Sequence, residues 1–177
     1  MGTESYTGKI NRKMSKKLRI VEVAAGREKA DLVLKNASYV NVFSNEICHG
    51  DIAVAEGLIV GMGVYSGETE VDVAGRIVLP GFIDAHIHLE SAMVSPQEFV
   101  KAVLPHGTTT VITDPHEIAN VMGADGIEYM LQATEGLPVD VRFMLPSCVP
   151  STPMDESGAV LDYRTIDSFY DHPRVQG

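Results

Sequence analysis

The residues best suited to chemistry are His86 and His88, two apart at the end of the run Pro80-Gly81-Phe82-Ile83-Asp84-Ala85-His86-Ile87-His88. In an extended strand, side chains at i and i+2 leave on the same side. Both imidazoles then project in parallel from one strand end, as two ligands of one metal ion require. A helix would bring i and i+4 together instead. A lone histidine on an apolar strand is ordinarily a satisfied core residue. A pair at a strand's C-terminal end points to metal ligation, because catalytic groups of parallel α/β folds collect there. Asp84 shares that side by period. It can accept a hydrogen bond from a ligand imidazole and fix its tautomer, or serve as a plain strand-end polar contact.

Asp114, His116 and Glu117 follow a second apolar strand and face the same mouth, where they suit proton transfer, support of a ligand or additional metal binding. Asp114 before Pro115 equally suits a helix cap; for His116 and Glu117 the active-site reading stands ahead of a loop and helix cap. Glu90 reads as a pocket acid or as a surface carboxylate, with Ser91 beside it. Ser147 and Cys148 are expected to end a third strand and line the pocket. Nothing near Cys148 argues for a nucleophilic thiolate. His106, before Gly107, reads as a structural residue at a helix C-terminus, where an imidazolium is favoured. His49 and His172 lie beside turn residues and take no functional reading.

Three regions must position these groups. Residues 1–30 are polar and basic, with a short helix expected near Lys16 to Ala25. Residues 31–79 read as short β-branched strands: Leu32–Leu34, Tyr39–Phe43, Asp51–Val54, Leu58–Met62 and Val71–Val73. The pairs Ser44-Asn45, His49-Gly50, Glu56-Gly57 and Ser66-Gly67 read as turns between them. That pattern predicts a small antiparallel sandwich or meander.

From residue 80 strands alternate with helices, the signature of a parallel sheet. Ile77 to Ile87 reads as the first strand. Ser95-Pro96-Gln97-Glu98 opens a helix with a cap, a proline at its first position and a capping-box glutamate, and Gly107 ends it. Thr108–Thr113 is the second strand, Ala124–Glu135 a helix, Val139–Leu145 the third strand and Tyr163–Tyr170 a further helix. Val175 begins a fourth strand. The strand starts recur about every thirty residues, the size of one strand–helix–strand unit. A closed (β/α)8 barrel takes about 200–250 residues, and only 98 remain from Pro80. The expectation is an α/β fold: the front part of a TIM-type barrel, incomplete over residues 80–177, preceded by a β-sandwich segment.

Composition bounds the function classes. The 177 residues are 45% hydrophobic and 21% charged, ordinary for a globular protein. Residues 1–30 hold eight Lys/Arg against three Asp/Glu, and the remainder six against twenty-one. An acidic body argues against a nucleic-acid partner. The basic start, Lys9 to Arg19, reads as an interaction arm or a surface-lying terminus. No apolar run approaches the roughly 20 residues of a membrane span, so no membrane partner is expected. Two distant cysteines, Cys48 and Cys148, and no signal-peptide pattern point to the cytoplasm.

The Pro80–His88 segment resembles the opening strand of the amidohydrolase superfamily, and the β-rich region before it is similar to that superfamily's N-terminal half of a split sandwich. Glu90-Ser91, Val103-Leu104-Pro105-His106-Gly107-Thr108-Thr109-Thr110, Asp114-Pro115-His116-Glu117-Ile118-Ala119-Asn120 and Ser147-Cys148-Val149-Pro150 resemble, within it, the adenine deaminases. The resemblance covers roughly residues 30–177. It implies hydrolytic deamination of adenine to hypoxanthine and ammonia by a metal-activated hydroxide. The metal centre it implies is binuclear in the complete enzyme, with Mn2+ ahead of Fe2+ or Zn2+, and His86 and His88 are its ligands here. Glu90, His116 and Glu117 are then catalytic groups, with Asp84, Ser91, Asp114, Ser147 and Cys148 around them. A homo-oligomer is implied for the complete enzyme.

The His-x-Glu and paired-cysteine signature of the zinc nucleobase deaminases is absent. Further metal ligands come from later strands in this superfamily, so the isolated chain is expected to be an inactive N-terminal portion. Two other readings stay open: an amidohydrolase acting on a cyclic amide or ureide, and a non-catalytic remnant serving as a binding subunit.

Overall fold

The computed structural model describes residues 6–177; the first five residues of the basic segment lie outside them. The chain forms two compact units, one ending at Pro80 and the other spanning Gly81–Gly177. Among the described residues no helix is long and apolar enough to cross a membrane.

The first unit contains α1 (Tyr6–Ala24) and one mixed sheet of β1 (Ala30–Asn41), β2 (Glu46–Ala55), β3 (Leu58–Gly63), β4 (Gly67–Asp72) and β5 (Ile77–Val78). Helix α1 starts ten residues earlier than the expected helix at Lys16, in keeping with its Lys- and Arg-rich sequence. Arg19 ties it to Asp31 and Glu56, and Lys16 to Glu56. Val23 is buried against Ala30, Val33, Ala53 and Ala55.

The strands correct the antiparallel expectation. β1 pairs antiparallel with β2 but parallel with β4 and β5, so the unit is one mixed sheet. The two strands read at Leu32–Leu34 and Tyr39–Phe43 are one, β1, with an irregularity between Leu34 and Ala37. Asn36 takes a left-handed φ of 56° there, which asparagine tolerates. His49-Gly50 is not a turn: Ser38 pairs with His49 and Ala37 with Gly50 inside β2.

Asp51 is the polar centre of this sheet. It is 7% exposed and accepts hydrogen bonds from Lys35 Nζ and, at 3.2 Å each, from the backbone N–H groups of Asn36 and Tyr65. The Lys35 bond, joined by those two N–H groups, holds the carboxyl below its usual range against the opposing effect of burial. Because the folded pKa lies below the unfolded one, this contribution is present above about pH 4 and fades as pH falls through the folded value. Asp51→Asn should cost about 1.5–3 kcal/mol at pH 7, and the gap to wild type should be smaller at about pH 3. Urea titrations at the two pH values test this, and an equal gap at both would refute it.

The expected strand Ile77–Ile87 is broken at Pro80, which has no N–H for a ladder. β5 belongs to the first sheet, and β6 (Phe82–Ile87) opens the second. There β6, β7 (Thr108–Thr113) and β8 (Asp140–Phe143) lie in the order β6-β7-β8, all parallel. Val175 adds a parallel bridge to Phe143. Helix α2 (Pro96–Val103) starts at Ser95, whose side chain accepts from the Glu98 N–H at 3.4 Å. Glu98 does not close the capping box but pairs with Lys101. Gly107, at φ 95°, provides the left-handed stop before β7.

Helix α3 (His116–Met122) occupies a stretch where no helix is expected from the sequence, and α4 (Ala124–Ala133) follows it. A Cβ on Gly126 would lie 2.7 Å from the Ile118 carbonyl oxygen, so only glycine permits this α3–α4 approach. β8 ends at Phe143, and α5 (Tyr163–Asp167) is shorter than expected. Val111, Ile127, Met130, Leu131, Val141 and Phe143 form the middle of the core.

Candidate metal centre

The parallel register fixes which residues meet at the C-terminal end of the second sheet. Ile87 pairs with Thr113, and Thr113 with Phe143. The ladder continues through the Asp114 N–H to the Ile87 carbonyl at 2.9 Å. Thr113, fully buried, accepts from the Leu89 N–H at 3.4 Å, which anchors the turn just after His88. Sequence reasoning did not single out Thr113; its only signal is a hydroxyl at an inward strand position.

His86 and His88 leave this strand end together. Their Nε2 atoms are 3.2 Å apart and their rings meet edge to face. Two ligands about 2.0–2.1 Å from one ion at a tetrahedral angle stand about 3.3 Å apart, so the pair fits a shared divalent cation. Among the described residues no group of three or more His, Cys, Asp and Glu is arranged to hold a metal ion. The two imidazoles are therefore a pair of candidate ligands without a third among the described residues.

Behind the histidines lies a set of carboxylates. Glu117 Oε2 is 3.0 Å from His88 Nδ1, although the contact lacks the alignment of a hydrogen bond. Ser91 Oγ donates to Glu117 Oε1 at 3.1 Å. Glu90 Oε1 accepts from the Ile118 N–H at 3.2 Å, while its Oε2 is buried without a partner. Glu90 is thus the cap of α3, supplied from a distant turn. Burial pushes the Glu90 carboxyl above its usual range, reinforced by Glu117 and opposed by backbone N–H groups, its own and that of Ile118. Burial also opposes ionisation of Glu117. Its own N–H, the neighbouring Glu90 carboxyl, the hydrogen bond from Ser91 and the charge of His88 outweigh that and hold it below the usual range.

The other candidates are placed differently. Asp84 Oδ1 accepts from the His86 backbone N–H at 3.2 Å and not from an imidazole. Asp114 does not cap α3, whose N-cap position is Pro115; its Oδ1 is buried without a partner. His116 is the first residue of α3, beside Glu117. Ser147 and Cys148 do not end a strand; they are exposed on the loop after β8, because the ladder stops at Phe143. Cys148 is a free thiol. An open depression of about 450 Å³ beside the carboxylates is lined by Glu90, Ser91, Met93, Glu117, Ile118 and Val121. A larger one, about 630 Å³, lies at the opposite end of β8, near Val139 and Arg174.

Comparison with known proteins places this geometry in a family. The chain is 54% identical over 158 residues to adenine deaminase 2 of Carboxydothermus hydrogenoformans, covering 89% of this chain and 28% of that protein. It is 54% identical over 157 residues to an adenine deaminase of Clostridium acetobutylicum, again over 89% of this chain and 28% of the relative. For the Bacillus subtilis adenine deaminase the identity is 50%, over 89% of this chain and 27% of the relative. The chain thus spans a little over a quarter of the length of these relatives. The amidohydrolase family profile matches residues 77–173, a stretch that holds both histidines and the carboxylates behind them, and the chain belongs to the amidohydrolase family.

Proposed function

We propose that this chain contributes the opening part of an adenine deaminase, which hydrolyses adenine to hypoxanthine and ammonia. The observation that carries the reading is the 50–54% identity to proteins of that name across nine-tenths of the chain. In the reaction an oxygen from water bonds to C6 and the exocyclic nitrogen leaves as ammonia, so a proton must reach that nitrogen. His86 and His88 would hold the metal, and a divalent cation there would supply Lewis acidity that brings water's ionisation toward neutral pH. Mn2+ comes first, with Fe2+ or Zn2+ as alternatives.

Glu90 is proposed to carry the proton. Its burial-raised carboxyl keeps a proton closer to neutral pH than an ordinary glutamate does, and its Oε2 has no partner. His116, at the start of α3, is proposed to exchange protons beside it. The parallel order β6-β7-β8 supports reading these as the first strands of a (β/α)8 barrel, with the first unit's sheet as half of a sandwich. Two free thiols, Cys48 and Cys148, favour a reducing, cytoplasmic setting. A homo-oligomer with no nucleic-acid or membrane partner completes the reading.

The test uses the complete gene product, loaded in turn with Mn2+, Fe2+ and Zn2+. It is offered adenine, dihydropyrimidines and hydantoins. Adenine should be deaminated in clear preference. Turnover of the cyclic ureides without adenine turnover would assign the chain to a different branch of the family.

A further inference from the structure

We infer that Glu117 is a positioning residue. It seats the Nδ1 side of His88 so that Nε2 is presented beside Nε2 of His86, and Ser91 holds the carboxylate in place. The inference rests on the reading of the two histidines as metal ligands and not on which substrate is turned over.

Each oxygen of Glu117 has a protein neighbour. Oε1 accepts from Ser91 at 3.1 Å and Oε2 lies 3.0 Å from His88 Nδ1. A carboxylate that moves protons to a substrate needs an oxygen free to face it. A carboxylate charge close to Nδ1 favours the tautomer with its proton there, which leaves the Nε2 lone pair for the metal. The position of Glu117 is itself set from outside α3. Glu90 accepts from Ile118, the residue after Glu117, and Gly126 lets α4 close against the Ile118 carbonyl. Residues 88, 90 and 91 thus act on residues 117 and 118 as one constellation.

The Glu117 side chain is 51% exposed and that of His88 30%. A polar contact so open to water adds little to stability. Its effect falls on ring orientation and ligand basicity, which separates a positioning role from a structural one.

The complete gene product and its Glu117→Gln, Ser91→Ala and doubly substituted forms are compared by Mn2+ competition against a chelator and by thermal unfolding of the metal-free proteins. Glu117→Gln should weaken Mn2+ binding by about 10–100-fold while the metal-free melting temperature stays unchanged. Ser91→Ala should weaken it by a smaller factor, and should add nothing in the Glu117→Gln background. Wild-type Mn2+ affinity in Glu117→Gln overturns the inference, even if turnover is lost, since that pattern belongs to a catalytic group. A Ser91→Ala effect that persists in full in the double variant also overturns it. Should Glu117→Gln not fold, an unchanged affinity in Ser91→Ala alone does so. The metal shifts without any adenine deamination would leave this inference standing and remove the adenine reading alone.

Discussion

Replacing either His86 or His88 with asparagine should lower kcat/KM for adenine by about a thousandfold or more in the complete gene product, and should strip the metal they hold. Asparagine is polar and fits the space, but its amide cannot place an aromatic nitrogen lone pair where Nε2 stands. Because the Nε2 atoms lie 3.2 Å apart, the proposed ion is shared by both imidazoles, and loss of either removes one of its nitrogen ligands. Metal assistance supplies several kcal/mol of transition-state stabilisation, and about 4 kcal/mol corresponds to a thousandfold in rate. Metal content and turnover are measured together. His106→Asn, at the end of a 3-10 turn, serves as the control and should change neither. A His86→Asn protein with full metal and near-normal turnover would remove the metal reading of the strand end.

Phe143→Ala should destabilise the second unit by about 3–5 kcal/mol. Phe143 is fully buried and sits at the last residue of β8, among Val111, Ile127 and Val141 in the same core. Truncating it to a methyl removes apolar contacts and leaves a cavity that β7 and α4 can fill only in part. The Arg174 guanidinium, 5.5 Å over the ring, also loses its platform. Arg174 itself holds the end of α4, donating to Thr134 Oγ1 at 2.7 Å and to the Leu131 carbonyl. Phe143→Leu, which keeps most of the volume, should cost well under half as much. The shift in urea midpoint at constant slope measures both. A Phe143→Ala loss below about 1 kcal/mol would mean that the core is not packed around this ring.

Elements whose information is local were legible. Thr108–Thr113 is β7 as read, since a β-branched run bounded by Gly107 and Pro115 leaves little choice. Ser95 and Pro96 open α2 as read, because a cap acts within one turn. Elements that depend on distant partners were not. Helix α3 is seven residues long, and its N-terminus is satisfied by Glu90, 28 positions away from Ile118; no local cap announces it. β1 runs through Asn36 because β2 pairs along both halves of it, which composition does not record. Ser147 and Cys148 were placed on a strand because an apolar run cannot say where its neighbour stops.

By itself the sequence determined the chemistry on offer. An i, i+2 histidine pair at a strand end puts two ring nitrogens on one side, through backbone geometry alone. Tertiary structure alone decided what stands behind them. Ser91 and Glu117 meet across 26 positions because the parallel register of β6 and β7 brings two loops to one sheet end. That register follows from long-range packing of the core, to which no single segment holds the key.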